Sequence, residues 1–211
     1  MLLLQKQGIL LYFHNIMGNN TSKHSHLIPK ICISGASETG HCGVDALEKA
    51  KTLGREIANH GAMLLNGATT GFPLWSAMGA KEVKGITVGF SPASNETEHV
   101  ETYRLPVDYL DLVVYTGFGI TGRSLLLTRS ADAVIVACGR IGTINEFTSA
   151  FENGKPIGVL EGGWSMDETI HKIITDSEIA NPNIVFDSDP VRLVATILEM
   201  VKKRKMNENV K

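Results

Sequence analysis

The stretch Ala133-Val134-Ile135-Val136-Ala137-Cys138-Gly139-Arg140-Ile141-Gly142-Thr143-Ile144-Asn145-Glu146 decides the fold. Ala133 to Ala137 reads as a short buried strand. Two glycines then turn the chain, and Thr143 to Asn153 reads as a helix carrying a carboxylate at its start. A fully apolar strand that breaks at glycine into a helix is the repeating unit of a parallel α/β sheet.

Outward from this stretch the same alternation continues in both directions. Lys30 to Ser34 reads as a strand followed by Gly35, and Leu47, Ala50, Leu53, Ile57 and Ala58 give helical spacing over Val44 to His60. Gly61 closes that helix. Ala62 to Leu65 is the next strand, Gly67 and Gly71 form a loop, and Pro73 sits where a first helical turn tolerates it, with the helix running to Lys84. Ile86 to Phe90 is a third strand, and Ser91 to Asp108 is a long polar connection of the kind that folds over a site. Strand Leu112 to Tyr115, helix Arg123 to Ala131, strand Ile157 to Leu160, helix Met166 to Ile174, strand Ile184 to Phe186 and a closing helix from Asp189 complete the series. The expected fold is a Rossmann-like doubly wound α/β sheet of mostly parallel strands joined by right-handed crossovers, with helices on both faces. Its expected boundaries are 30–211 as a single nucleotide-binding domain, after a flexible or irregular arm over 1–29 that is polar from Asn15 to Pro29. The basic Lys202 to Lys205 segment reads as a solvated helix end favoured by the helix dipole.

Composition excludes several classes of protein. The 43% hydrophobic and 20% charged residues suit one globular domain, and 20 basic against 22 acidic residues give a net charge of −2. That balance, without a basic aromatic stripe, provides no footprint for a nucleic-acid backbone, although a small anion needs only local positive potential. Leu2 to Leu4 and Ile9 to Phe13 are separated by Gln5, Lys6 and Gln7, so neither a bilayer span nor a signal peptide is expected. Met17 offers an alternative start with a loose myristoylation pattern at Gly18, and His24 and His26 read as solvated rather than metal-binding. Cys32, Cys42 and Cys138 are far apart in sequence and lack CxxC spacing, which gives little support to a disulfide framework or thiolate zinc site and suits a reducing cytoplasm. No metal and no required cofactor are expected.

Glycines follow strands four times, at Gly35 to Gly43, Gly67 to Gly71, Gly117 to Gly122 and Gly139 to Gly142. Any one of these clusters is explained by turn formation. Four loops leaving the carboxyl ends of strands share one edge, however, where close backbone approach and helix N-termini suit a phosphate. Gly117 to Gly122 spells GxGxxG, but the following strand ends in Cys138-Gly139-Arg140 rather than an acidic residue, which argues against an ordinary NAD site. The same stretch approaches a P-loop, with Arg123 in place of the lysine. Taken alone, Glu146 serves equally as a capping-box or dipole partner of its own helix. His41 and Cys42 are ambiguous loop side chains, and Trp75 reads as packing or a subunit contact.

From Ile31 to Leu160 the chain resembles the LOG family, the "lonely guy" phosphoribohydrolases long labelled putative lysine decarboxylases. Within that superfamily it is most similar to the branch of molybdenum-cofactor carrier proteins, with the DNA-processing protein A relatives nearby. The resemblance rests on Ser34-Gly35, Gly67 to Pro73, Gly89 to Pro92, Gly122-Arg123 opening a helix that ends at Ala131-Asp132, and the Gly139 to Glu146 turn. Against the family's PGGxGTxxE turn, Gly142-Thr143-x-x-Glu146 and the Arg123 to Asp132 spacing match. Cys138 replaces the proline, Arg140 the second glycine and Asn145 the first glutamate.

The resemblance implies hydrolysis of a nucleoside 5'-monophosphate to free base and ribose 5-phosphate, with Glu146 supporting the oxocarbenium-like state and Arg123 holding phosphate or orienting that carboxylate. The candidate phosphate-binding set is Ser34, Gly35, Gly67, Gly71, Gly122, Gly139, Arg140, Ile141, Gly142 and Thr143. The three departures favour an alternative, a non-catalytic carrier or sensor of a nucleotide-like or molybdopterin-type cofactor. Lysine decarboxylation is set aside, since no lysine here has a recognisable Schiff-base context. The resemblance also implies a homo-oligomer, a dimer or tetramer.

Overall fold

A computed structural model describes residues 28–179 and 183–208. The expectations for the arm before Ile28, including Met17, Gly18, His24 and His26, lie outside the described residues. The strands are β1 (Lys30–Ser34), β2 (Met63–Asn66), β3 (Thr87–Ser91), β4 (Leu112–Tyr115), β5 (Ala133–Val136), β6 (Ile157–Leu160) and β7 (Ile184–Asp187). The helices are α1 (Ala46–Asn59), α2 (Phe72–Glu82), α3 (Gly119–Ser130), α4 (Ile141–Glu152), α5 (Ser165–Ser177) and α6 (Pro190–Glu208), with a π-helical turn at Glu98–Thr102.

All seven strands are parallel, in the order β4-β3-β2-β1-β5-β6-β7. The chain builds outward from β1 to one edge and then returns to β1's other side, so the winding reverses between β1 and β5. In such sheets the crevice for a ligand opens beyond the carboxyl ends of the strands at that reversal. The alternation of each strand feeds two cores. Ile31, Ile33 and Ile135 pack with Leu53, Ile57 and Ile197 on one face, while Cys32, Val134 and Val136 pack with Leu127, Phe147 and Ile170 on the other. Helices therefore cover both faces, as the apolar runs of the central strands require.

Two sequence expectations change here. The Gly117–Gly122 cluster is not all loop: α3 begins at Gly119, which leaves Gly122 inside its first turn, where a Cβ would press on Phe118. The basic end of α6 is not simply solvated, because Lys205 Nζ lies 3.0 Å from Asp132 Oδ2, which Lys30 Nζ also reaches at 3.0 Å. Lys30 and Asp132 lie near the start of the neighbouring strands β1 and β5, and α6 packs back over them. Trp75 is partly buried against the first core, with Lys51 Nζ 5.9 Å from its ring centre.

Burial alone would raise the Asp132 carboxyl, but the Lys30 amide and the Lys205 and Lys30 ammonium groups outweigh it and hold the pKa below the usual range. A depressed carboxylate contributes stability that is present above its unfolded value of about 4 and lost as pH falls through the folded value. Asp132→Asn is therefore expected to flatten the acid limb of stability below about pH 4. Urea midpoints measured across that range check this, and an unchanged limb would remove Asp132 from the acid response.

Candidate functional site

A cleft of about 410 Å³ opens where the winding reverses. Ser34 and Gly35 end β1, Gly67 follows β2, Arg123 and Ser124 come from α3, and Arg140, Gly142, Thr143 and Glu146 come from the turn and helix after β5. Eight of the residues singled out from sequence thus meet in one place. The other four do not line it. Gly71, at φ +65°, lets the chain pass the Ala36 and Ser37 carbonyls before α2. Gly122 faces Phe118, Gly139 lies against the Thr143 side chain, and Ile141 is 79% exposed to solvent. The three glycines shape the turns that surround the cleft.

The floor of the cleft is a buried polar cluster. Arg123 and Glu146 are each 7% exposed, and Arg123 Nη1 lies 3.6 Å from Glu146 Oε1. The Ser124 hydroxyl donates to Glu146 Oε1 at 2.9 Å, and the Ser34 hydroxyl donates to Oε2. Both carboxylate oxygens are thus engaged. Arg123 Nε, although buried, has no hydrogen-bond partner among the described residues, and a buried donor in that state is costly unless something else satisfies it. The guanidinium lies across the Gly67 backbone so closely that any Cβ there would overlap Nη1. This gives Gly67 a role beyond turn-making. Burial, reinforced by Glu146, raises the pKa of the Cys32 thiol on the adjoining strand well above its ordinary value.

Helix α4 begins at Ile141, so Glu146 falls in its second turn and no acidic residue occupies the first. The capping-box or dipole role open to Glu146 in the sequence therefore fails, and the residue serves the cleft. The amides of Ile141, Gly142 and Thr143 have no intrahelical acceptors and lie beside Arg140, making this end of α4 suited to an anion.

Sequence reasoning missed several lining residues. Ser124 adjoins Arg123 and was read only as helix. Thr69, Thr70, Ser37 and Glu38 belong to the first two loops, whose polar character was visible without any indication of direction. Tyr103, Arg104 and Leu105 come from the long connection after β3, which does pass over the cleft as its length suggested. That connection is anchored by buried His99. Its Nε2 lies 3.1 Å from the Pro106 carbonyl, which can only accept, so Nδ1 accepts from the Ser91 hydroxyl at 2.8 Å.

The cysteine expectation is also corrected. Cys42 and Cys138 form a disulfide, with Cα atoms 5.8 Å apart across 96 residues of sequence. The two loops leave adjacent strands, β1 and β5, and strand order rather than sequence spacing brings them together. His41 beside it is exposed and does not line the cleft, as Cys42 does not.

The doubly wound sheet and a cleft at its reversal point, floored by an arginine–glutamate pair, define a Rossmann-like α/β protein. The chain belongs to the SLOG cluster4 family, whose profile matches residues 28–194. It is 30% identical over 132 residues to an uncharacterized protein of Archaeoglobus fulgidus, covering 63% of this chain and 82% of that one. Among solved structures it is similar to the molybdenum cofactor binding protein of Rippkaea orientalis, at 25% identity and a TM-score of 0.68, covering 83% of this chain and 99% of that one. It is also similar to the structural-genomics target TM1055, at 27% identity and a TM-score of 0.69, covering 82% and 99%. The LOG-like resemblance read from the glycine turns therefore holds for the superfamily. Among the described residues no helix is long and apolar enough to cross a membrane.

Proposed function

We propose that this protein binds a small phosphorylated, nucleotide-like ligand and carries or senses it without hydrolysing it. The observation that carries this reading is Arg123, a guanidinium that lines the cleft beside Arg140 and the open end of α4. An anionic group in the cleft would meet this local positive charge, with the amides opening α4 and the Arg140 side chain receiving the phosphate. Glu146 fits a holding role, because the Ser34 and Ser124 hydroxyls already occupy its two oxygens. Similarity to a molybdenum cofactor binding protein supports cargo of the molybdopterin type. The reading requires no metal or further cofactor from the protein itself and gives no role to nucleic acid.

A second reading, a nucleoside 5'-monophosphate phosphoribohydrolase, is favoured by Glu146 lining the cleft 3.6 Å from Arg123. The two are separated by titrating a panel of nucleoside monophosphates while following both base release and thermal stability. Carriage predicts stabilisation without base release, about 2.7 kcal/mol at a hundredfold excess over Kd. Arg123→Lys is expected to weaken binding about tenfold to a hundredfold, because an ammonium cannot reproduce the planar fork. Turnover that disappears in Glu146→Gln would establish the hydrolase instead.

The same reading includes a homo-oligomer. Phe118, Ile120, Leu125 and Leu126 on and before α3 are 70%, 60%, 45% and 38% exposed, an apolar surface that a partner subunit would cover. Light scattering on the purified protein should give a dimer or tetramer. A monomer at micromolar concentration would count against it.

A further inference from the structure

We propose that Cys42 and Cys138 form a reversible thiol–disulfide switch that fastens the first ligand loop to the phosphate turn. The function above assigns this pair no role, and the consequence for ligand affinity rests on that function.

The pair joins two cleft walls at their bases. Cys42 lies in the loop whose Ser37 and Glu38 line the cleft, and Cys138 immediately precedes Gly139 and Arg140. Few other bonds tie the two segments. The Ala36 amide donates to the Cys138 carbonyl at 2.8 Å, and His41 Nε2 lies 3.4 Å from the Gly139 carbonyl. Opening the disulfide leaves the start of the first loop held by the Ala36 and Ser37 carbonyls, which accept from the Phe72 amide at 2.8 Å and the Thr70 hydroxyl at 3.0 Å, while its tie to the phosphate turn beyond Ala36 is the long His41 contact.

The environment of the pair suits exchange. Cys42 is partly exposed, whereas Cys138 is fully buried, so an attacking reagent meets Cys42 first. His41 Nε2 lies 3.9 Å from Cys42 Sγ. In the disulfide form that nitrogen carries its hydrogen toward the Gly139 carbonyl, which can only accept. In the dithiol form the other tautomer can take the Cys42 proton. The Cys42 thiolate then attacks a small-molecule disulfide such as oxidised glutathione, forming a mixed disulfide and releasing one thiol. The His41 imidazolium returns its proton to the departing thiolate and then takes the Cys138 proton, its ring nitrogen lying within 4.8 Å of the Cys138 sulfur; Cys138 attacks the Cys42 sulfur and releases the second thiol. The net reaction converts two protein thiols and one external disulfide into the protein disulfide and two external thiols, a two-electron exchange without other reactants. Cys32 stays outside it, since it is buried at the centre of the sheet and its burial keeps the thiol protonated.

The experiment poises the intact protein in reduced and oxidised glutathione mixtures. It then counts alkylatable thiols by mass and reads amide hydrogen exchange over residues 36–43 and 139–143, with Cys42→Ser as an always-open form and Cys32→Ala as a control for shuffling. The switch predicts reversible loss of two thiols, unchanged in Cys32→Ala, with exchange in both loops at least about fivefold faster when open. Adenosine 5'-monophosphate, titrated into both states, should bind about tenfold more weakly to the open form. Irreversible behaviour, or identical exchange in the two states, overturns the proposal. So does tight zinc capture by the reduced protein that is lost in Cys42→Ser, which would reassign His41, Cys42 and Cys138, with ligand atoms within 4.8 Å of one another, as a soft-metal site. Failure of the nucleotide to bind in either state, with the exchange difference present, would sink the ligand reading while leaving the switch standing.

Discussion

Glu146→Ala is expected to cost about 3–5 kcal/mol of folding stability, the usual penalty for removing one partner of a buried ion pair. The carboxylate is almost wholly buried and faces Arg123, Ser34 and Ser124 at once. Alanine leaves the guanidinium without its carboxylate and two hydroxyls without their acceptor, in a place where water reaches poorly. Glu146→Gln retains an acceptor oxygen for one serine and the shape of the side chain, so its cost should be smaller. A phosphorylated ligand would restore an anion beside Arg123, and the alanine variant should therefore gain more stability from ligand than the parent does. Urea unfolding with and without adenosine 5'-monophosphate tests both points. A change below about 1 kcal/mol would mean that Arg123 does not depend on this carboxylate.

Gly54→Val and Gly79→Val are each expected to cost at least about 3 kcal/mol, at the upper end of overpacking effects. Helices α1 and α2 pack with backbones touching. A Cβ on Gly54 would overlap the Ser76 carbonyl, and one on Gly79 would overlap the Lys51 carbonyl. Both collisions are with main chain, so no rotamer change relieves them and the helices must separate. The sign of the alanine variants discriminates. In a helix without such a contact, glycine to alanine stabilises by about 1 kcal/mol through propensity alone. Here alanine should destabilise, and for a domain of this size each kcal/mol lost lowers the melting temperature by about 2–4 °C. Thermal melts of Gly54→Ala and Gly79→Ala that rise above the parent would show that the close approach is wrong. Loss of α2's position would also disturb Gly71 and the second ligand loop, coupling this packing to the cleft.

These two effects differ in how far they could be read in advance. Arg123 and Glu146 were found from sequence because each lies at a fixed distance from a glycine turn in a recurrent motif. Gly54 and Gly79 drew no notice, since an isolated glycine in a helical pattern does not reveal which neighbour requires it. The π-helical turn at Glu98–Thr102 was read only as part of a polar connection. Its order depends on His99 bonding to Ser91 and Pro106, contacts that no local periodicity encodes.

By itself the sequence determined the alternation of strands and helices, the fully apolar central strands that demand two covered faces, and the convergence of glycine loops at one sheet edge. These follow from local patterns, the two-residue and 3.6-residue periods and the backbone freedom of glycine, which act within a few residues of one another. Only the tertiary structure decided that Cys42 meets Cys138, that Lys205 returns to Asp132, that Glu146 faces the cleft instead of capping α4, and that Gly71, Gly122, Gly139 and Ile141 do not line it. Each of those outcomes depends on strand order and on how whole helices settle against the sheet. Such placements are fixed by the cooperative packing of elements distant in sequence, for which no short stretch of the chain carries the information.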